Sequence, residues 1–201
     1  MSHENPPRRK YELRKRAEQV AETHLRITEA AIELHGTVGP ARTTLSAVAE
    51  RAGVERRTLY RHFATEADLF EACSSHYFAA HPWPDLDAWR AVDDPGARLA
   101  RGLDELYAYY ERTAPMFGNV LRDAALVDFA RDAVVPFEAF LDEAAGVLAA
   151  GRPARGRRGE VLRAALGHAL AFSTWRSLTG GGLIRAEAVA LASAVVDAAA
   201  A

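Results

Sequence analysis

The segment from Arg56 to His62 carries the densest group of side chains in this sequence that could bind a polyanion. Its seven residues, R-R-T-L-Y-R-H, offer three guanidinium groups, two hydroxyls and one imidazole, and no carboxylate follows Glu55 within the segment. Guanidinium groups bind phosphates and pair bidentately with guanine, while hydroxyls hydrogen-bond to phosphate oxygens. Because a solvated helix face normally mixes its charges, this composition favours contact with the phosphates and base edges of DNA.

Two short helices would position these side chains. The spacing of small and apolar residues predicts a first helix over about Leu45–Ala52 and a second over Arg56–His62. Gly53 can take the left-handed conformation that ends a helix, and the small Ala49 lets the two helices cross closely. The arrangement is typical of a DNA-binding helix-turn-helix over residues 44–63. Two amphipathic helices joined by a glycine also occur in helical proteins that bind no nucleic acid.

The same residues resemble a known family. The run G-V-E-R-R-T-L-Y-R-H-F, followed by A-T-E-A-D-L-F, closely resembles the N-terminal domain of tetracycline-repressor (TetR) family regulators. The resemblance covers about residues 23–78 and is most specific in the T-L-Y-x-H-F core; beyond this range it is limited to helical layout and length. It implies an all-α fold in which a three-helix N-terminal helix-turn-helix domain precedes a larger helical domain for ligand binding and dimerisation.

The predicted DNA contacts lie in the second helix and at the start of the first. Arg56 and Arg57 are the candidates for reading bases, because a guanidinium pairs bidentately with guanine. The other polar side chains of the helix are predicted to bind phosphates, although Tyr60 could also touch a thymine methyl group. Glu66 stands where the family often has a basic residue that contacts a phosphate. A glutamate repels DNA, so this phosphate contact is predicted to be absent. The predicted set is Thr43, Thr44, Ser46, Arg56, Arg57, Thr58, Tyr60, Arg61 and His62.

The charges of the chain are unevenly distributed. Residues 1–63 contain 12 Lys and Arg against 8 Asp and Glu, and the rest contains 13 against 19, within a net charge of −2. A basic head suits a protein that offers one end to a polyanion, although the unevenness could also arise by chance.

We predict a flexible basic arm over residues 1–16, a helix-turn-helix domain over 17–80, and a helical effector-binding and dimerisation domain over 81–201. The arm would follow the phosphate backbone or enter a minor groove, or it would be a solvated tail.

The remainder of the chain is predicted to be helical, with prolines and glycines marking the helix ends. Pro115 is expected to open a new helix, and Pro136 to kink or break a long one. Three glycines at 180–182 would separate the last two helices. The sequence has no alternating strand pattern and no internal repeat. The predicted helices cover about residues 95–112, 115–121, 126–149, 157–178 and 185–199.

No constellation of residues argues for catalysis or metal binding. The single cysteine, Cys73, excludes an internal disulfide and a cysteine metal cluster, and is expected to be a packed thiol. The seven histidines lack ligand spacing, and zinc-protease, di-iron, G-x-S-x-G and phosphate-loop motifs do not occur. We therefore predict a non-enzyme with no cofactor, metal or catalytic residue. The lack of an apolar stretch of about 18 residues and of a signal-peptide core predicts a cytoplasmic protein.

Eight large apolar or aromatic side chains of the helical body have two interpretations. Packed around a void, they would line a pocket for a small apolar or aromatic effector, and the family resemblance favours this. Packed against one another, they would form the core. The predicted pocket residues are Tyr107, Tyr110, Met116, Phe117, Phe137, Phe140, Phe172 and Trp175.

The last two helices are alanine-rich and apolar over a wider face than one buried stripe requires. Two such helices from each of two chains could form a four-helix homodimer interface, unless both faces are absorbed within one chain. Together with the helix-turn-helix, the family resemblance implies a dimeric repressor released from a palindromic operator by a small-molecule effector. The alternatives are a helical binding module whose helix-turn-helix is only structural, and a helical enzyme. The predicted interface residues are Leu162, Ala165, Ala169, Val189, Ala192 and Val196.

Overall fold

The computed structural model describes residues 6–201, with side chains from residue 11 onward. The described chain is helical and contains no strand, which confirms the predicted all-α fold. A short 3₁₀ turn covers Pro40–Arg42. The α-helices are α1 (Pro6–Thr37), α2 (Leu45–Arg51), α3 (Arg56–His62), α4 (Glu66–Ala80), α5 (Leu86–Arg90), α6 (Pro95–Asp123), α7 (Asp128–Ala149), α8 (Gly156–Leu170), α9 (Phe172–Gly180) and α10 (Arg185–Ala200).

The chain forms two compact units. The first comprises the chain up to Ala79 together with Asn119–Arg131, and the second comprises Ala80–Gly118 and Asp132–Ala201. Helices α6 and α7 therefore contribute to both units. The sequence-based division placed all of residues 81–201 in one domain, because no local pattern signals that residues 119–131 belong with the first unit.

The first three helices share one apolar core. Ile27 and Ala31 from α1, Val48 from α2 and Leu59 from α3 are fully buried. Full burial of a Val, Leu or Ile side chain contributes about 1.5–3 kcal/mol each, which is enough to hold two seven-residue helices that would be unstable alone.

Helix α1 begins earlier than the sequence analysis predicted. Residues 6–16, predicted as part of a flexible arm, are helical, while residues 1–5 lie outside the described residues. The segment is rich in Arg and Lys and also contains Glu12 and Leu13, all of which favour helix, and proline is tolerated in a first turn. One turn apart, Arg14 donates to Glu18 at 2.9 Å and supports the helix.

Two prolines lie inside helices rather than at their ends. Pro115 was expected to open a new helix, but α6 continues through it to Asp123, and α7 likewise continues through Pro136. A proline removes one backbone hydrogen bond from the ladder. Burial of the apolar stripes of α6 and α7 on both sides of the prolines offsets that loss, because most helical stability in proteins comes from packing.

The predicted helix over residues 157–178 is instead two helices, α8 and α9, separated at Ala171. Ala171 has an extended backbone with ψ 136°, which ends α8. Two buried tyrosine hydroxyls donate to the carbonyls just before the break, Tyr107 to Ala169 at 2.9 Å and Tyr110 to Leu170 at 2.7 Å. These long-range hydrogen bonds replace helical ones, so the break could not be predicted from the local sequence.

Candidate nucleic-acid interface

Helix α2 begins at one of the two threonines in the predicted set of DNA contacts. Thr44 has an extended backbone (φ −98°, ψ 150°), and its Oγ1 accepts a hydrogen bond of 3.1 Å from the Ala47 amide. The Thr43 hydroxyl instead donates to the Gly39 carbonyl at 2.8 Å. Thr44 is therefore the N-cap, and Ser46 is exposed in the first turn of α2.

The turn between α2 and α3 sets the direction in which α3 leaves α2. Gly53 adopts the predicted left-handed conformation with φ +65°, and the Val54 amide donates to the Ala49 carbonyl at 2.9 Å. Ala49 is buried, so its small side chain permits a close crossing of the two helices. Because Leu59 of α3 is buried, the helix presents its opposite, polar face to solvent.

That polar face brings together all the side chains of α3 that the sequence predicts as DNA contacts. Three arginines and a tyrosine are exposed, and a threonine and a histidine are half-buried beside them. Within the described chain, no carboxylate forms an ion pair with any of these arginines, whereas Arg51 nearby pairs with Glu33. The guanidinium groups of α3 therefore stay available to a ligand. The six residues are Arg56, Arg57, Thr58, Tyr60, Arg61 and His62.

The first arginine of α3 is oriented by its own helix. Arg56 Nη2 donates to the Tyr60 hydroxyl at 3.1 Å, and the guanidinium carbon lies 5.7 Å from the centroid of the Tyr60 ring. The guanidinium thus has both a hydrogen bond and a cation–π contact one turn along the helix. Arg57 makes no such contact among the described residues.

His62 contacts a residue that the sequence analysis missed. The ring centroid of His24 in α1 lies 5.9 Å from that of His62 in a T-shaped arrangement, and 4.5 Å from that of Phe63. Burial lowers the pKa of His62, and the positive charges of His24 and Arg61 lower that pKa further. His24 lies in no motif, so only the packing of α1 against α3 reveals it.

The loop before α2 is held by the last turn of α6. The buried Asp123 carboxylate accepts a hydrogen bond of 3.0 Å from the Ala41 amide, and Arg122 donates to the Val38 carbonyl at 3.0 Å. Burial raises the pKa of Asp123, but the hydrogen bonds from Arg122 and Ala41 outweigh burial, so this pKa is lowered overall. Gly39 has φ +94°, and a Cβ there would collide with the side chains of Arg122 and Asp123.

Asn119 completes this group, which we call the α6 anchor (Asn119, Arg122 and Asp123). Its Nδ2 donates to the carbonyls of His35 and Gly36 at the end of α1, at 3.0 and 2.9 Å. The His35 ring is buried with Nδ1 3.4 Å from Cys73 Sγ. Burial lowers the pKa of His35 to about 4 and raises the pKa of Cys73 to about 12. Cys73 is therefore the packed thiol that was predicted.

Helix α4 opens with a capping box. The Asp68 amide donates to Thr65 Oγ1 at 3.1 Å, and the Thr65 amide donates to the Asp68 carboxylate at 2.9 Å. Glu66 lies in the first turn, where the helix dipole favours a carboxylate. The lack of a phosphate contact at Glu66 stays a prediction.

Comparisons with known proteins agree with this geometry. The family model of bacterial regulatory proteins, tetR family, matches residues 27–73, which contain all of α2 and α3. This part of the chain matches the TetR family. Two curated relatives from Pseudomonas putida match 94 residues of this chain, at 36% and 39% identity; the second is the HTH-type transcriptional regulator TtgR. The match spans 47% of this chain and 39% of the length of each relative.

A solved structure shares the fold of this chain over most of its length. A TetR-like transcriptional regulator from Rhodococcus sp. RHA1 superposes with a TM-score of 0.63 at 17% identity, over 87% of this chain and 93% of that chain. The likeness confirms the fold of a helix-turn-helix domain followed by a larger helical domain. None of the described helices is long and apolar enough to span a membrane, and the same residues contain no group of three or more potential metal ligands.

The predicted pocket residues of the second unit form a packed aromatic cluster. Ring centroids are 4.7 Å apart for Phe117 and Phe137, and 5.2 Å apart for Phe172 and Trp175, which are ordinary packing distances. The rings pack against one another, as the core interpretation requires, and Met116 is half-buried. A role in ligand binding stays a prediction for these side chains. The buried members are Tyr107, Tyr110, Phe117, Phe137, Phe140, Phe172 and Trp175.

A groove of about 790 Å³ in the second unit is lined instead by α7 and α8. Its walls include the apolar Leu141, Leu162 and Leu170, and the charged Asp142 and Arg163. None of the eight predicted pocket residues lines it. Its volume lies within the range of small-molecule sites, about 300–1,000 Å³.

Most of the predicted dimer residues are buried within the protomer. Five of the six are buried within the protomer where α8 packs against α10, and are not available to a partner; these are Leu162, Ala169, Val189, Ala192 and Val196. Ala165 is half-buried. The large apolar side chains left exposed on the two helices are Val161 (42%), Leu191 (47%) and Val195 (46%). Periodicity identified the helices but could not separate the inner half of a wide apolar face from the outer half.

Proposed function

We propose that the chain is a sequence-specific DNA-binding regulator of transcription that inserts α3 into a major groove. The observation that carries this proposal is the exposed face of α3, where three guanidinium groups lie above the buried Leu59 and pair with no carboxylate of the described chain. A helix in the major groove reads base edges with such side chains and holds its register through phosphates. The relative TtgR is an HTH-type transcriptional regulator, which supports the same function.

We assign base reading to Arg57 and Arg56, and phosphate contacts to Thr44, Arg61 and His62. Arg57 has no partner among the described residues and is free to approach a guanine edge, whereas Arg56 approaches in the orientation that Tyr60 gives it. The exposed Thr44 stands at the start of α2, where a hydroxyl can both cap the helix and meet a phosphate oxygen.

The regulator acts as a homodimer in this proposal. The exposed apolar stripe of Val161 on α8 and Leu191 and Val195 on α10 forms the contact, with the exposed alanines 164, 194 and 198 between them. A two-fold dimer places two α3 helices on half-sites about one helical turn apart, about 34–36 Å, so its operator is a near-palindrome.

Release from DNA requires an effector that binds one spacing of the α3 helices better than another. The groove between α7 and α8 offers a site of suitable volume in the second unit. Helix α6 is continuous, and its last turn holds the loop before α2 through the α6 anchor. A movement of α6 would therefore change the position of the helix-turn-helix, and a movement of α4 would do the same. In this proposal the DNA-bound protein represses transcription until an effector binds.

The experiment compares wild type with Arg57→Ala on the operator that the wild type selects and on random duplex. A base-reading Arg57 predicts a loss of about 1–3 kcal/mol on the operator and little loss on random DNA. Equal losses on both duplexes would mean that Arg57 contacts phosphate and that its base-reading role is wrong.

A further inference from the structure

Two histidines from different helices meet beside the exposed face of α3. The His24 and His62 rings are 5.9 Å apart between centroids, edge to face, and Phe63 packs beside both. His24 is exposed on α1, and His62 is half-buried at the last turn of α3. The Nε2 atom of His62 is buried and has no hydrogen-bond partner in the described chain.

The charges around the pair are positive. Arg61 on α3 and His24 on α1 are the charged groups that lower the pKa of His62, after burial. Arg16 lies on the same face of α1 as His24, two turns earlier along a shallow surface depression. Among the described residues, no carboxylate lines that depression.

We infer that His24 and His62 together bind one DNA phosphate, and that the pair takes up protons from solvent when the phosphate binds. This inference rests on the proposed DNA-binding function. Without an anion, two imidazolium groups in contact repel each other, and Arg61 adds to that repulsion. A phosphodiester oxygen between the two rings stabilises their protonated forms, because each protonated ring then donates a charge-assisted hydrogen bond to the same anion.

DNA binding therefore strengthens as the pH falls from the pKa of the phosphate-bound pair toward the lowered pKa that His62 has without phosphate. Uptake of one proton changes the dissociation constant by about tenfold for each pH unit. The phosphodiester keeps its charge throughout this range. Any steep pH dependence between about pH 6 and 8 then belongs to histidine.

The test measures binding of the full chain to its selected operator by fluorescence anisotropy at fixed ionic strength, at several values between about pH 6.0 and 7.5. Wild type should bind at least about fivefold more tightly at about pH 6.0 than at about pH 7.5, whereas His24→Gln and His62→Gln should each reduce this change to less than about twofold. His24 is exposed, so its variant should fold normally, and circular dichroism at each pH checks this. His76→Gln, which replaces an exposed histidine of α4, is the matched control and should keep the wild-type dependence.

The outcomes separate this inference from the proposed function. Selective operator binding whose pH dependence is absent, or is unchanged in His24→Gln, would overturn the inference and leave the DNA-binding function standing. A wild-type protein that prefers no duplex at any pH would contradict both the inference and the proposed DNA-binding function. Loss of the pH dependence in both His24→Gln and His62→Gln, with its retention in His76→Gln, would establish the histidine pair as the proton-linked phosphate site.

Discussion

Arg56 Nη2 donates to the Tyr60 hydroxyl at 3.1 Å, so the first guanidinium of α3 is held by a side chain one turn further along the same helix. The contact gives Tyr60 a second role beside the predicted phosphate contact. It restricts the rotamers of Arg56 before DNA arrives, which lowers the entropy cost of placing this arginine against a base.

The first prediction concerns this pair. Tyr60→Phe removes the hydroxyl and keeps the ring, so discrimination between the selected operator and random duplex should weaken, but by less than in Arg56→Ala. In a double-mutant cycle the two changes should couple by about 0.5–1 kcal/mol. The control cycle pairs Tyr60→Phe with Arg57→Ala, which should be additive. Additive effects for Arg56 and Tyr60 would show that the hydrogen bond does not orient the arginine.

The second prediction concerns the loop before α2. Gly39→Ala places a methyl group against Arg122 and Asp123 in a backbone conformation that alanine disfavours, so the free energy of unfolding should fall by about 1–3 kcal/mol. Gly146→Ala is the matched control, because this helical glycine of α7 has open space around its Cβ position. It should stabilise by about 0.5–1 kcal/mol. Urea unfolding measures both variants, and a neutral Gly39→Ala would contradict the close packing of the anchor.

The third prediction concerns acid stability. The pKa of His35 is about 4 in the folded chain against an ordinary value of 6.5, so the neutral ring contributes stability above pH 6.5 that is lost as the pH falls toward 4. Between about pH 7.0 and 4.5 this loss is about 2–3 kcal/mol. Urea unfolding of His35→Gln should show a correspondingly smaller difference between these two pH values. An equal difference in variant and wild type would place the acid sensitivity elsewhere.

The fourth prediction concerns the proposed dimer. Leu191→Asp puts a charge in the middle of the exposed stripe of α8 and α10, so the protein should sediment as a monomer of 21.9 kDa instead of a dimer. Leu126→Asp alters a side chain that is 71% exposed in the first unit and should leave the dimer intact. Analytical ultracentrifugation of both variants measures whether each one is a monomer or a dimer. A Leu191→Asp protein that stays dimeric would place the interface on another surface.

Local sequence was sufficient to predict the helix-turn-helix. Gly53 marks the turn, Leu59 marks the buried side of α3, and the polar run around it leaves one outward face, so the bounds of α3 follow from neighbouring residues alone. The cap of α2 and the capping box of α4 are equally local. For the same reason, the predicted side chains of α3 do lie together on one surface.

Other features depend on residues far apart in the sequence, and could not be predicted in this way. Asp123 reaches Ala41 across 82 positions, and His24 meets His62 only because α1 packs against α3. The end of α8 at Ala171 depends on the Tyr107 and Tyr110 hydroxyls. The same applies to the dimer face, because wide apolar faces on α8 and α10 do not reveal which half the protomer buries.

The measurement that tests the central claim most directly is a binding-site selection from random duplexes with the wild-type chain. The account predicts enrichment of a near-palindrome whose half-sites lie about one helical turn apart, because a two-fold dimer presents two copies of α3. Enrichment of no motif, with weak binding that is equal for all duplexes, would contradict it and would make the helix-turn-helix a structural element only.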